Sequence, residues 1–308
     1  MFRELTLHCH LCSDEEMTKP ALLELQNKVL DCTKSVKSPT YPISKISGGF
    51  ILSGKVWKYI TEKLASDGAL HFSLLDPDPL STTIEDVVEI GVLAEKAGSD
   101  ALMIGGSTVF GVIDEAVAKI SEAVDIPTIL FPGNITGVSE HADAMFFMTL
   151  LNSSNPYWII GAQALAAPRI KMTGIETIPM AYLLVAPGKT AAWVGDAKVF
   201  LRDKPKIPAM YAIAAELLGM KLVYLEAGSG AEGGGVPTEM ISMVSKFIDI
   251  PVITGGGFND VTSVVGAVDA GASIVVQGTY LEKAVQKDKG EGLKKIIKAL
   301  KDAGAKRV

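Results

Sequence analysis

A chain of 308 residues, 48% hydrophobic and 21% charged, is long enough to bury a full core and reads as one large soluble domain with a small extension. A formal charge of −6, with one dense basic run from Lys294 to Arg307 that reads as a solvated helix face, argues against a dedicated nucleic-acid binder. No apolar stretch reaches the roughly 20 residues that span a bilayer, and the N-terminus lacks the basic-then-apolar order of a secretory signal, so the reading is a cytoplasmic protein with no transmembrane segment.

Residues 1–53 read as a poorly ordered N-terminal extension ahead of a domain at 54–308. All 3 cysteines lie in it, so no disulfide framework holds the main domain. His8-Cys9-His10-Leu11-Cys12 contains a Cys-x-x-Cys, but the second ligand pair of a zinc module is missing. Met17 as an alternative start would remove that cluster. Pro20 to Val29 suggests a short amphipathic helix, and Lys37 to Gly49, with prolines and serines, a linker.

From Ser66 onward, short apolar runs alternate with longer amphipathic ones, the pattern of a parallel sheet with helical crossovers. The expected strands are Ala69–Leu75, Ala101–Ile104, Thr128–Phe131, Ala144–Leu150, Pro179–Val185, Lys221–Leu225, Val252–Thr254 and Ser273–Val276. That succession matches a phosphate-binding (β/α)8 TIM-barrel-like α/β fold. Among the helices, Thr82 to Ala97 has Ser81 or Thr82 as N-cap and Gly98 past its end; Ala209–Leu218 and Pro237–Ile248 follow, the last with proline in its first turn. One crossover helix is expected to be replaced by a loop. The Gly-, Asp- and Pro-rich segment from Thr190 to Lys206 is the candidate, which would leave that side open to a ligand.

The chemistry concentrates at the strand C-termini, where barrels of this kind carry their active sites. The first strand runs into Asp76, between Leu75 and Pro77, a candidate Mg²⁺ ligand or acid/base group that reads equally as a helix cap. The second ends in Gly105-Gly106-Ser107-Thr108, where the Ser107 hydroxyl is a second candidate ligand and an ordinary loop is the plainer reading. Strands six, seven and eight end in Tyr224-Leu225-Glu226-Ala227-Gly228-Ser229-Gly230, in Gly255-Gly256-Gly257 and in Gly278-Thr279. Glycine lets successive backbone amides approach one anion, and the helix that follows each loop favours the same charge. Glu226 would be repelled by a phosphate, so it suits a neutral hydroxyl, as acceptor or base. Tyr224 either donates to the same ligand or packs in the barrel.

With Leu151-Asn152-Ser153 and Trp158-Ile159-Ile160-Gly161 added, this ordered set resembles the geranylgeranylglyceryl phosphate synthase family over about residues 54 to 303. The resemblance implies transfer of a geranylgeranyl group from geranylgeranyl diphosphate to the 3-hydroxyl of sn-glycerol 1-phosphate, the first ether bond of archaeal membrane lipids. It implies Asp76 and Ser107 as ligands of Mg²⁺ on the diphosphate. Residues Tyr224 to Gly230, with Gly256, Gly257, Gly278 and Thr279, would form the glycerol 1-phosphate site, with Glu226 and Tyr224 as catalytic groups. It also implies a homo-oligomer. Leu74 stands where related bacterial heptaprenyl enzymes have lysine, which favours the archaeal-type branch. The prenyl tail is expected near Tyr182, Val185, Trp193, Val194, Trp158, Tyr157 and Phe146-Phe147. Three other readings stand beside this one: the same reaction with another chain length, a phosphate-binding isomerase or aldolase, and a non-catalytic barrel. An isomerase or aldolase would need a Schiff-base lysine or a paired acid and base, which these strand ends do not clearly offer.

Overall fold

A computed structural model describes residues 54–106, 111–281 and 288–308. The readings made on residues 1–53, including Cys9, Cys12 and the helix at 20–29, lie outside the described residues, as does Ser107. Eight parallel strands, β1 Leu70–Leu75, β2 Ala101–Gly106, β3 Thr128–Pro132, β4 Ala144–Leu150, β5 Glu176–Leu184, β6 Leu222–Glu226, β7 Val252–Gly255 and β8 Ile274–Gln277, close in sequence order into a barrel. Leu70 pairs with Ile274 where β8 returns to β1.

The two-residue period of a strand sorts side chains between two cores. In β6, Leu222 and Tyr224 point inward to Leu70, Phe72 and Ile253. Val223 and Leu225 point outward, against Ala212 and Met240 of the helical layer. Helix α1, Lys55–Asp67, closes the bottom by adding Val56 and Ile60 to the inner core. The Glu176 carboxylate accepts from Val56 N and Trp57 N at 2.8 Å each and caps that helix.

Helix α2, Ile84–Ala97, starts later than its sequence suggested. Ser81 N and Thr82 N both donate to Asp78 O at 3.0 Å, so those residues belong to a preceding turn. Thr83 is the N-cap, in a capping box with Asp86, and Gly98 ends the helix at φ 104°. Pro237 likewise caps its helix from outside rather than sitting in the first turn.

One crossover does lack a helix, but a different one from that expected. After β5 the chain forms a six-residue helix, Lys189–Val194, bridges Phe200 to Val185, and then forms the full crossover helix Lys206–Leu217. It is residues 133–143, between β3 and β4, that carry no helix. This span holds Gly133, Asn134, Gly137 and Ser139, and side chains stitch it down instead of a helical ladder. Asp143 Oδ2 accepts from Thr128 N at 2.8 Å, and Ser139 Oγ donates to Asp114 Oδ1 at 2.7 Å. The chain after β4 winds through a π-turn, Tyr157–Gly161, into the helix Ala162–Thr173.

Candidate active site

Glu226 is the last residue of β6 and, two places beyond Tyr224, shares its inward face. It is 6% exposed, and its Oε1 accepts a 2.6 Å hydrogen bond from Gly228 N. Burial raises the pKa of the carboxyl, and the Tyr224 hydroxyl and the Gly228 amide only partly offset that rise. The Tyr224 hydroxyl is buried and near Glu226, yet it makes no well-aligned hydrogen bond. Burial first, and then the charge of Glu226, raise the pKa values of Tyr224 and Tyr182, which keeps both phenols protonated as donors. Phe131, Tyr182 and Tyr224 form one aromatic layer, with ring centroids 5.3 to 5.7 Å apart.

Gly256, at φ 77°, shows why glycine is needed at the end of β7. A Cβ there would overlap both the Glu226 carboxylate and the Gly228 backbone, so the two loops meet backbone to backbone. The cavity beside them is lined by Tyr224, Glu226, Ser229, Gly230, Gly256, Gly257, Gly278 and Thr279. Three members of the expected site are absent from that lining. Leu225 and Ala227 alternate outward and pack among the helices, and Gly228 lies behind Glu226, contributing its amide to that carboxylate. Sequence reasoning missed Leu74, Phe258, Asn259, Gln277 and Tyr280 on the same walls. Gln277 left a usable signal: it is a polar residue closing an otherwise aliphatic strand.

Asp76 follows β1, and its carboxylate occupies the space that a Cβ on Gly106 of β2 would fill. Among the described residues no group of three or more His, Cys, Asp or Glu could hold a metal ion. A cation beside Asp76 would thus draw most of its ligands from substrate oxygens and water. That sparse, all-oxygen set suits magnesium.

Gly106 also borders a second cavity, an apolar groove enclosing about 810 Å³ with its open mouth included. It opens where the crossover helix is missing, along Gly133 to Ile135 and Val138, and runs beneath Ala162, Ala166 and Ile170. Phe146, Phe147, Trp158, Tyr182 and Val194 line it as expected. Val185 instead packs in the outer core, Trp193 is 82% exposed, and Tyr157 stacks edge-on against Trp158 outside the groove. Tyr182 lines the groove and touches Tyr224, which lines the polar pocket.

A closed parallel barrel whose last three strand ends frame one polar pocket is a phosphate-binding (β/α)8 barrel, here with an apolar groove meeting that pocket. Residues 60–300 match the PcrB family, and the chain belongs to it, among the geranylgeranylglyceryl phosphate synthases, which are prenyltransferases. The geranylgeranylglyceryl phosphate synthase of Thermococcus kodakarensis is 51% identical over 251 residues, covering 80% of this chain and 98% of that one. That of Methanothermobacter marburgensis is 53% identical over 216 residues, 70% of this chain and 87% of that one. The crystal structure of (S)-3-O-geranylgeranylglyceryl phosphate synthase from Thermoplasma acidophilum, in complex with its substrate sn-glycerol-1-phosphate, superposes with a TM-score of 0.76 at 37% identity. It covers 82% of this chain and all of that one.

Proposed function

We propose that this enzyme transfers a geranylgeranyl group from geranylgeranyl diphosphate to the 3-hydroxyl of sn-glycerol 1-phosphate, giving 3-O-geranylgeranylglyceryl phosphate and diphosphate. The observation that carries the reading is the junction of the two cavities at Tyr182 and Tyr224, which sets a polar head group against the end of an apolar tail. Loop amides at Gly256, Gly257, Gly278 and Thr279, with Ser229 and Gly230, hold the glycerol phosphate. Glu226 keeps one oxygen fixed on the Gly228 amide and offers the other to the attacking hydroxyl. The bond between the allylic carbon and the diphosphate oxygen breaks with its electron pair leaving on the diphosphate. The glycerol oxygen forms the new ether bond, and its proton passes to Glu226.

Asp76, with Ser107, would hold Mg²⁺ against the diphosphate. When bound, the ion neutralises the charge that builds on the leaving group. The apolar walls at Phe146, Phe147 and Trp158 exclude the water that would otherwise capture the allylic carbon. In this proposal the enzyme works in the cytoplasm as a homo-oligomer; among the described residues, no helix is long and apolar enough to cross a membrane.

The test is incubation of the protein and Mg²⁺ with labelled sn-glycerol 1-phosphate and, separately, C15, C20 and C35 prenyl diphosphates. Organic-extractable label is expected with the C20 donor and is expected to vanish in EDTA and in Asp76→Ala. Preference for C15 or C35 would change the chain length, and no product with any donor would overturn the reaction.

A further inference from the structure

Leu70, Phe72, Ile274 and Val276 of β1 and β8 point into the barrel, so alternation turns His71, Ser73 and Gln277 the other way. All three are nonetheless buried, at 0%, 0% and 2% exposure. They form a continuous chain. Ser73 Oγ is 2.6 Å from Ser99 Oγ, Ser99 Oγ 2.9 Å from His71 Nδ1, and His71 Nε2 3.1 Å from Gln277 Oε1. Gln277 Nε2 then donates to Phe258 O at 2.7 Å.

The polarity of this chain has one solution. The Phe258 carbonyl is an acceptor, so the amide nitrogen of Gln277 must face it and the amide oxygen must face His71. That oxygen accepts, so His71 Nε2 carries the proton. In the neutral ring Nδ1 is then an acceptor, which requires the Ser99 hydroxyl to donate to it and the Ser73 hydroxyl to donate to Ser99. Burial holds the His71 pKa down at about 4, against the opposing pull of the Gln277 hydrogen bond, so the neutral ring persists at neutral pH.

The far end of the chain is a wall of the proposed phosphate pocket. Phe258, Asn259 and Gln277 all line it, next to Gly256 and Gly257. A planar trans peptide sets the Asn259 N–H antiparallel to the Phe258 carbonyl, so fixing that carbonyl on Gln277 fixes the direction of the amide. We propose that His71 and Gln277 are positioning residues for the glycerol phosphate. They lock the 256–259 loop so that its amides converge on the phosphate, without touching substrate through the imidazole. This rests on the site assignment made above.

Two measurements test it. Nitrogen NMR of histidine-labelled protein, with the His71 signals assigned by elimination in His8→Gln, His10→Gln and His141→Gln, should show a neutral ring protonated at Nε2; an Nδ1–H ring would overturn the inference even if no variant at His71 or Gln277 folds. Calorimetric titration of sn-glycerol 1-phosphate should show Kd about five- to tenfold weaker in His71→Phe and Gln277→Leu, the loss expected of one buried hydrogen bond. His71→Gln, which can place an amide N–H where Nε2 stands, should recover most of that loss. KM for the prenyl diphosphate should stay within about twofold throughout, since that substrate uses the other cavity. Wild type that fails to bind glycerol 1-phosphate would refute the site assignment and this inference with it. Wild type that binds, with both variants binding equally well, would refute the positioning role alone.

Discussion

At Glu226, a strand end, a buried carboxyl and a fixed amide converge on one side chain. If it takes the hydroxyl proton, Glu226→Gln should lower kcat by about a hundredfold or more, within the range of general base catalysis, while KM for glycerol 1-phosphate changes little. Because burial raises its pKa, the wild-type rate should climb with pH through that raised value, and the Gln variant should lack this acidic limb. The sign for stability runs the other way. With its folded pKa above the ordinary 4.5, Glu226 favours folding below that value and loses the contribution as pH rises through the folded pKa. The ionised form that the proposed base requires is therefore the one burial disfavours. Tyr224 and Glu226 were legible in the sequence because chemistry and strand alternation agree on them. Leu225 and Ala227 were assigned to the site by contiguity, and alternation turned them outward. Phe258 and Gln277 were obscured because a wall made from three separated loops has no contiguous signature.

Among the elements, the helix-free span 133–143 bears most directly on the apolar groove. A crossover helix would lie over β3 and β4, and its omission leaves the groove open beside Phe146 and Phe147. Ala166 is a small residue of the same lining, in the helix Ala162–Thr173. If the groove holds the prenyl tail, Ala166→Phe should narrow it and shift donor preference from C20 toward C15 by about tenfold in kcat/KM. An added aromatic side chain changes buried volume by far more than the methylene or two that are worth about 1–3 kcal/mol in such pockets. Competition between the two donors would read this directly, and an unchanged ratio would place the tail elsewhere. The eight strands fell within a few residues of their expected spans because each is a short apolar run bounded by turn residues. The helix-less crossover was misplaced because Gly and Pro in 190–206 look equally unhelical. The helix expected at Ala209–Leu218 is present as Lys206–Leu217, and the pairing of Phe200 with Val185 makes the segment before it a detour rather than a missing helix.

For the molecule as a whole, acid should act in two stages. His71 has a folded pKa of about 4 against an ordinary 6.5, so the unfolded chain takes up its proton first. Stability is complete above about 6.5 and falls toward pH 4, by about 3 kcal/mol at most from this one group. Urea midpoints between pH 7 and 4 should slope less in His71→Gln. At lower pH a second loss should follow. Burial alone would raise the pKa of Asp67, but hydrogen bonds from Ser66 and Lys301, and the charges of Lys301 and Lys63, outweigh it and hold the pKa at about 2. Its contribution therefore disappears as pH falls from about 4 through about 2. These groups tie the first and last helices to the bottom of the barrel, where Lys301 Nζ is 2.6 Å from Asp100 Oδ2 and Lys63 Nζ is 2.9 Å from Asp100 Oδ1.

The sequence by itself determined the barrel, the placing of glycine loops after its last three strands and the carboxylates at the ends of the first and sixth, because these depend on local periodicity and on the backbone freedom of single residues. Tertiary structure alone decided which crossover lost its helix, which motif residues face the pocket, and how Ser99, His71 and Gln277 reach Phe258. Those depend on contacts between residues as much as 206 positions apart, and no local preference along the chain encodes them.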